Sequence, residues 1–127
     1  MRAERIYAGY LAAQAVMGVV FWVTLLNVSE ARSWLELMPE RREVTDAFIL
    51  ADALVIVGST ASAWAVATSK RWAVPVVAFT AGGVVYPTLF LVCWVAFTGV
   101  GAATLAVMVA PSTLTCWVGY QIWRAAN

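Results

Sequence analysis

One carboxylate lies deep within an apolar run of this sequence, where ionisation is costly. Asp52 is flanked by the segments "FILA" and "ALVIV". Insertion scales give a cost of about 2.5–3.5 kcal/mol for an aspartate at the centre of a spanning helix. Its side chain is too short to reach interfacial water as a lysine does. An ionisable residue at such depth indicates a functional site, so Asp52 is our candidate catalytic residue.

The residues around Asp52 predict one polar face of a helix. Helical steps of four and seven residues from Asp52 lead to Phe48, Thr45 and Ser59, and a further step of three leads to Ser62. Asp46 is six residues from Asp52, which rotates it by roughly 120°. A paired-carboxylate site of the glycosidase type is therefore disfavoured. We expect Asp46 in the first turn of the helix, where a negative side chain favours the helix dipole.

The composition and the charge-free runs predict a membrane protein. The chain has 127 residues, of which 63% are hydrophobic and 12% charged, whereas soluble domains average about 25% charged residues. The uncharged run 72–123 would form a helix of roughly 78 Å, more than twice a bilayer core of about 30 Å. It must fold back, and "TGVG" at 98–101 is the expected turn. We predict an all-α, four-transmembrane-helix bundle, one domain over 1–127, with spans at about 6–27, 45–68, 73–97 and 102–123.

The distribution of basic residues predicts the orientation. Five lie on the side of the two termini, namely Arg2, Arg5, Lys70, Arg71 and Arg124, and three lie in the first loop, namely Arg32, Arg41 and Arg42. The positive-inside rule then makes the termini cytoplasmic and the first loop external. The loop sequence "SEARSWLELMPERRE" favours a short amphipathic helix at the outer interface, capped by Ser29. The alanine- and valine-rich usage favours a bacterial cytoplasmic membrane.

Matching the spans by depth predicts which side chains surround Asp52. At or just above its level the candidate substrate-binding residues are Phe21, Trp22, Phe90, Trp94 and Met108. One layer deeper they are Gln14, Ser59, Tyr86 and Ser112. Gln14 and Tyr86 have an alternative role as interhelical hydrogen-bond partners, at about 0.6 kcal/mol each. Asp52 likewise has an alternative role as a protonated or paired packing residue.

An acid among aromatic rings suits three classes of function. Burial favours the neutral acid, which can protonate an alkene or epoxide, and aromatic faces stabilise the resulting cation. That chemistry predicts a cofactor-free isomerase or cyclase of a lipophilic, isoprenoid-like substrate. The alternatives are a proton-coupled transporter of a lipophilic or cationic molecule, and a partner subunit of a membrane complex.

The same composition limits cofactors and partners. The chain has no histidine, which excludes His-based triads and zinc sites, and we expect neither a metal nor another cofactor. A net charge of +1 argues against nucleic acid. The expected partners are membrane lipid, a lipophilic small molecule, and a second copy or another membrane protein.

Overall fold

The computed structural model describes residues 2–127, apart from the side chain of Arg2. Six helices follow one another along the chain: α1 Arg2–Asn27, α2 Ser29–Leu35, α3 Arg42–Asp46, α4 Ile49–Ala67, α5 Ala73–Thr98 and α6 Ala102–Ala126. No strand occurs within this range. Four stretches are long and apolar enough to cross a membrane: Ala3–Asn27, Arg42–Ala67, Ala73–Thr98 and Ala102–Ala126. The predicted all-α architecture is confirmed, and so is the prediction of four helices long and apolar enough to span a membrane. Arg2, counted among the cytoplasmic charges, has its side chain outside the described residues.

The turn between α5 and α6 lies where the glycines predict it. Gly99 and Gly101 have φ angles of 71° and 91°, in the left-handed region that glycine adopts at little cost. The amide of Gly99 donates to the carbonyl of Val95 over 2.8 Å, which ends α5. A Cβ atom at Gly101 would also lie 2.8 Å from Leu37 Cδ2, so the first loop packs closely against this turn.

The second span begins differently from the prediction of one continuous helix near Thr45. Here α3 ends at Asp46, and α4 begins at Ile49 after a short turn. Thr45 and Asp46 both bind the preceding segment, because Thr45 Oγ1 accepts a hydrogen bond from the Leu37 amide and Asp46 binds Arg32. Asp46 therefore belongs to α3 and does not lie in the first turn of the long helix.

Helix packing is closest where small residues face a neighbour. A Cβ atom at Gly58 in α4 would lie 2.7 Å from Thr80 Oγ1 in α5, and one at Gly18 in α1 would lie 2.7 Å from Ile56 Cγ1. At the end of the bundle that carries the termini, a buried apolar core joins the four long helices. Its members include Leu11, Ala65, Val77 and Val118. The polar and aromatic candidates lie between this core and the first loop.

The first loop folds over the other end of the bundle. This loop contains the short helix α2, and its N-cap is Val28 instead of the predicted Ser29, with no side chain capping it. Leu37 is buried, and the Thr104 hydroxyl of α6 donates to the Leu35 carbonyl over 2.7 Å. We call residues 29–46, which comprise α2, α3 and their connection, the outer cap, because they cover the end of the bundle opposite the chain termini.

Candidate functional site

Asp52 lies in the first turn of α4, not the seven residues below a helix start that the sequence predicts. Its amide donates to the carbonyl of Phe48 over 2.9 Å. A negative side chain near a helix N-terminus is favoured by the helix dipole, which lowers the cost of placing a carboxylate there. The residue is partly buried, with the outer cap between it and the end of the bundle. The burial of Asp52 therefore depends on the outer cap as well as on its position in α4.

Trp22 is the hydrogen-bond partner of Asp52. The indole Nε1–H donates to Asp52 Oδ2 over 2.8 Å, which joins α1 to α4. Trp22 is buried, and the ring of Phe21 packs edge-on against it with centroids 5.7 Å apart. An indole N–H buried in this way normally finds an acceptor, and here the acceptor is a carboxylate.

Asp52 borders a small cavity of about 30 Å³. Three of the predicted substrate-binding residues, Phe21, Trp22 and Met108, also line it. Sequence reasoning missed the walls contributed by the outer cap, chiefly Leu35 and Leu37. A volume of this size accommodates about two or three water molecules, because a single water needs about 10–15 Å³ by this kind of measure. The lining is almost wholly apolar, so the cavity suits a hydrocarbon group better than water.

Three other predicted aromatic residues lie outside this cavity. The ring centroid of Phe90 lies 5.6 Å from that of Phe48, which lines the cavity. Trp94 stacks on Phe90 with ring centroids 6.0 Å apart. The indole nitrogen of Trp94 is buried and has no hydrogen-bond partner among the described residues. Tyr86 is 77% exposed and lines a separate groove between α4 and α5.

The predicted polar layer divides into two hydrogen-bonded groups. Gln14 Nε2 donates to Ser59 Oγ over 3.0 Å, while Gln14 Oε1 accepts from Tyr10 at 2.7 Å and from Thr115 at 2.5 Å. This group ties α1, α4 and α6 together. Ser112 belongs to the other group, in which it shares a 2.5 Å hydrogen bond with Thr88. Tyr10, Thr88 and Thr115 were not predicted, because a lone hydroxyl in an apolar run carries little signal.

The outer cap contains a buried ion pair that the sequence reading treated as loop charge. Arg32 is 5% exposed; its Nε–H donates to Glu36 at 2.8 Å and its Nη2–H to Asp46 at 2.7 Å. The carboxylates of Glu36 and Asp46 raise the pKa of Arg32 above its usual value, because they stabilise the charged guanidinium. The four-residue spacing of Arg32 and Glu36 was an available signal for this pair.

The geometry limits the reactions that the Asp52 site can perform. Asp52 offers one carboxyl group, held by an indole and facing apolar and aromatic walls. Within residues 2–127, no group of three or more Cys, Asp or Glu side chains is placed to hold a metal ion. Such a site can transfer a proton or balance one positive charge on a lipophilic molecule.

Fold and site together define a helical protein with four helices able to span a membrane and an acidic group inside the bundle. No protein-family model matches the chain, and no curated protein and no solved structure matches it either.

Proposed function

We propose that this protein is a membrane enzyme whose Asp52 protonates a small lipophilic substrate, isoprenoid-like in character, and isomerises or cyclises it without a cofactor. The observation that carries the proposal is the Trp22–Asp52 hydrogen bond at the edge of an apolar, partly aromatic cavity. An asparagine could also accept the hydrogen bond from Trp22, so this contact alone does not require an acid. The proposal gives the acidity of Asp52 a chemical role.

The proposed reaction balances with Asp52 alone. The neutral acid donates its proton to a carbon–carbon double bond, which leaves a carbocation on the substrate and a carboxylate on Asp52. The rings of Phe21, Trp22 and Phe48 line the cavity and stabilise positive charge through their faces. Loss of a proton from a neighbouring carbon forms a new double bond and returns the proton to Asp52. If the cation is first attacked by a second double bond of the same molecule, the product is a ring.

The cavity beside Asp52 is too small for the proposed substrate. Pockets for small molecules usually measure about 300–1,000 Å³, about ten times the 30 Å³ beside Asp52 or more. Substrate binding therefore requires a wall to move. Part of the wall is the outer cap, whose Leu35 and Leu37 reach the cavity from a short helix and a connection.

The polar layer supports a second candidate, proton-coupled transport of a lipophilic cation. Ser59 lies seven residues beyond Asp52 on α4, or roughly 10 Å along the axis, and binds Gln14 in the bundle interior. A carboxylate followed by buried polar groups resembles the start of a proton path. The third candidate, a non-catalytic subunit of a membrane complex, needs no proton chemistry.

For localisation, we propose a multi-pass protein of a bacterial cytoplasmic membrane with both termini inside. The support is the excess of Lys and Arg in the terminal segments and the second loop over the first loop. In this orientation the outer cap and Asp52 lie toward the external face.

The deciding experiment compares purified protein in detergent with protein in sealed vesicles, using the same set of isoprenoid and cationic compounds. An isomerase or cyclase gives product in detergent with no gradient, detected as a change in retention time at unchanged mass. A transporter gives uptake only in vesicles with a pH difference. The matched control is Asp52→Asn, which should abolish whichever signal appears. If neither product nor uptake is detected, the enzyme and the transporter are both contradicted, and the role as a non-catalytic subunit remains.

A further inference from the structure

A second, larger concavity lies on the outer surface of the helical bundle. It is a groove of about 240 Å³ between α4 and α5, eight times the volume of the Asp52 cavity. Its walls are mainly apolar, with Leu54 and Val55 from α4 and Phe79 and Gly83 from α5. Between Phe79 and Pro87 it follows α5 for about 12 Å. Its size and shape suit an extended hydrocarbon chain.

One polar group in this groove has no partner. Tyr86 is 77% exposed, and its hydroxyl makes no hydrogen bond with any residue in the described part of the chain. It lies thirteen residues after Ala73 and twelve before Thr98, near the middle of a spanning helix. Water does not reach a phenol at that depth in hydrocarbon, and an unsatisfied hydroxyl there is costly. The hydroxyl therefore indicates an occupant that carries an oxygen or nitrogen atom.

The groove and the Asp52 cavity share a wall. Pro87 lines both of them, and the adjacent residues Ala51 and Asp52 line the groove and the cavity respectively. Proline removes a backbone hydrogen bond from the interior of α5, which makes the helix easier to deform at this position. Pro87 thus separates a ligand in the groove from the cavity that Asp52 lines.

We infer that the groove between α4 and α5 binds a single-chain lipophilic alcohol or carbonyl compound taken from the bilayer, with the Tyr86 hydroxyl as its polar contact. This rests on the proposed function, because the groove then serves as the lateral access site for the substrate of Asp52. It explains how a lipophilic molecule reaches the small Asp52 cavity without passage through water. Tyr86 acts in binding and does not touch the reacting atoms.

The test uses geranylgeraniol carrying a photoreactive diazirine, with protein in phosphatidylcholine nanodiscs. Labelling should map to α4 and α5 around the groove and should be displaced by unlabelled geranylgeraniol. Tyr86→Phe should weaken binding of this alcohol about five- to tenfold, the usual effect of one lost hydrogen bond. It should leave binding of the matching hydrocarbon unchanged. Tyr120→Phe, at another exposed tyrosine outside the groove, is the control.

A second pair of variants tests the space itself. Ala51→Leu adds volume to the groove wall and should weaken binding of the alcohol and of the hydrocarbon alike. Gly82→Leu adds a side chain where nothing lies within 4 Å of a Cβ atom, outside the groove, and should have no effect. Melting temperatures identify any variant that is misfolded, and Tyr86→Phe is conservative enough to remain informative.

Three outcomes overturn the inference. Equal labelling by a phosphatidylcholine bearing the diazirine on its acyl chain would make the groove ordinary lipid-facing surface. Crosslinks between two copies through Tyr86 would make it a dimer contact. Labelling spread evenly over all exposed faces would remove the site. Asp52→Asn separates this inference from the proposed function: labelling retained by a protein with no turnover leaves the groove as a binding site and removes the enzyme.

Discussion

The two aspartates of this chain differ in the partners that hold them. Asp46 binds the guanidinium of Arg32, whereas Asp52 binds the neutral indole of Trp22. The ion pair holds Asp46 within the outer cap, whereas Asp52 borders the apolar cavity. The proposed function therefore uses Asp52 for proton transfer and gives Asp46 a structural role.

The pair of variants Asp52→Asn and Asp46→Asn tests this assignment. Asparagine at position 52 keeps an oxygen that can accept from Trp22, so we expect an unchanged or higher melting temperature. Activity should fall about 100-fold or more, the usual effect of losing a general acid. Asp46→Asn should lower stability by about 1 kcal/mol, since its hydrogen bond to Arg32 loses charge but is half exposed. It should keep its activity.

The measurements are melting temperature and turnover or flux for both proteins side by side. An Asp52→Asn protein with normal activity would remove the acid from the mechanism. An inactive Asp46→Asn beside an active Asp52→Asn would transfer the chemistry to the outer cap.

The sequence predicted which residues lie at the level of Asp52 along the bundle axis, but not which of them face it. Phe21, Trp22 and Met108 were placed at its level by counting along antiparallel spans, and they line its cavity. The same count placed Tyr86 and Phe90 nearby, but α5 is rotated so that Tyr86 faces outward. Depth fixes the position along the axis, whereas rotation about it depends on packing. An almost uniformly apolar helix carries little signal for that rotation.

At the level of elements, the α4–α5 contact depends on a missing side chain. A Cβ atom at Gly58 would lie 2.7 Å from Thr80 Oγ1, which already bonds to Ser62 and to the Val76 carbonyl. Gly58→Ala should therefore lower stability by about 1–3 kcal/mol, the usual cost of overpacking. Gly82→Ala, with open space around it, should be neutral or stabilising by up to about 1 kcal/mol through helix propensity. Thermal unfolding in detergent measures both, and an unchanged Gly58→Ala protein would contradict the close packing.

The outer cap depends on the buried Arg32 as its central element. Arg32→Gln leaves Glu36, whose side chain is 10% exposed, without the guanidinium that binds it most closely. We expect a loss of about 3 kcal/mol or more, as for other broken buried ion pairs. Arg41→Gln removes an exposed pair with Glu43 and should cost less than about 1 kcal/mol. Chemical denaturation of the two variants checks this, and equal losses would mean that the cap is not held by Arg32.

The elements themselves were largely predictable from charge-free length, because the bilayer dictates how long a spanning helix must be. The break between α3 and α4 was not. It contains neither proline nor glycine, the usual local signals. It coincides instead with contacts to the outer cap, where Thr45 accepts from the Leu37 amide and Asp46 binds Arg32. Because the partners, Arg32 and Leu37, lie outside the break itself, the residues at the break carry no local sequence signal for it.

For the whole molecule, the orientation in the membrane is the property that most needs a direct measurement. In a variant with Cys93 and Cys116 replaced, Ser33→Cys should react with an impermeant thiol reagent added to intact cells. Ser69→Cys, in the loop between α4 and α5, should react only after the cells are opened. Both serines are exposed, so reactivity reports the side of the membrane. The reverse pattern would place Asp52 toward the cytoplasm.

The Trp22–Asp52 hydrogen bond has a further consequence for how the chain is made. The hydroxyls of Thr60 and Thr113 donate to carbonyls of their own helices, so each enters the lipid already satisfied. Asp52 has its donor on α1, which precedes the second span along the chain and is therefore synthesised first. We expect the segment 42–67 to insert less completely alone than behind α1, and Trp22→Phe to reduce the difference. Glycosylation of engineered acceptor sites in microsomes measures this, and equal insertion of all three would contradict it. On this prediction, the indole that holds Asp52 in the folded protein also assists the insertion of Asp52 into the bilayer.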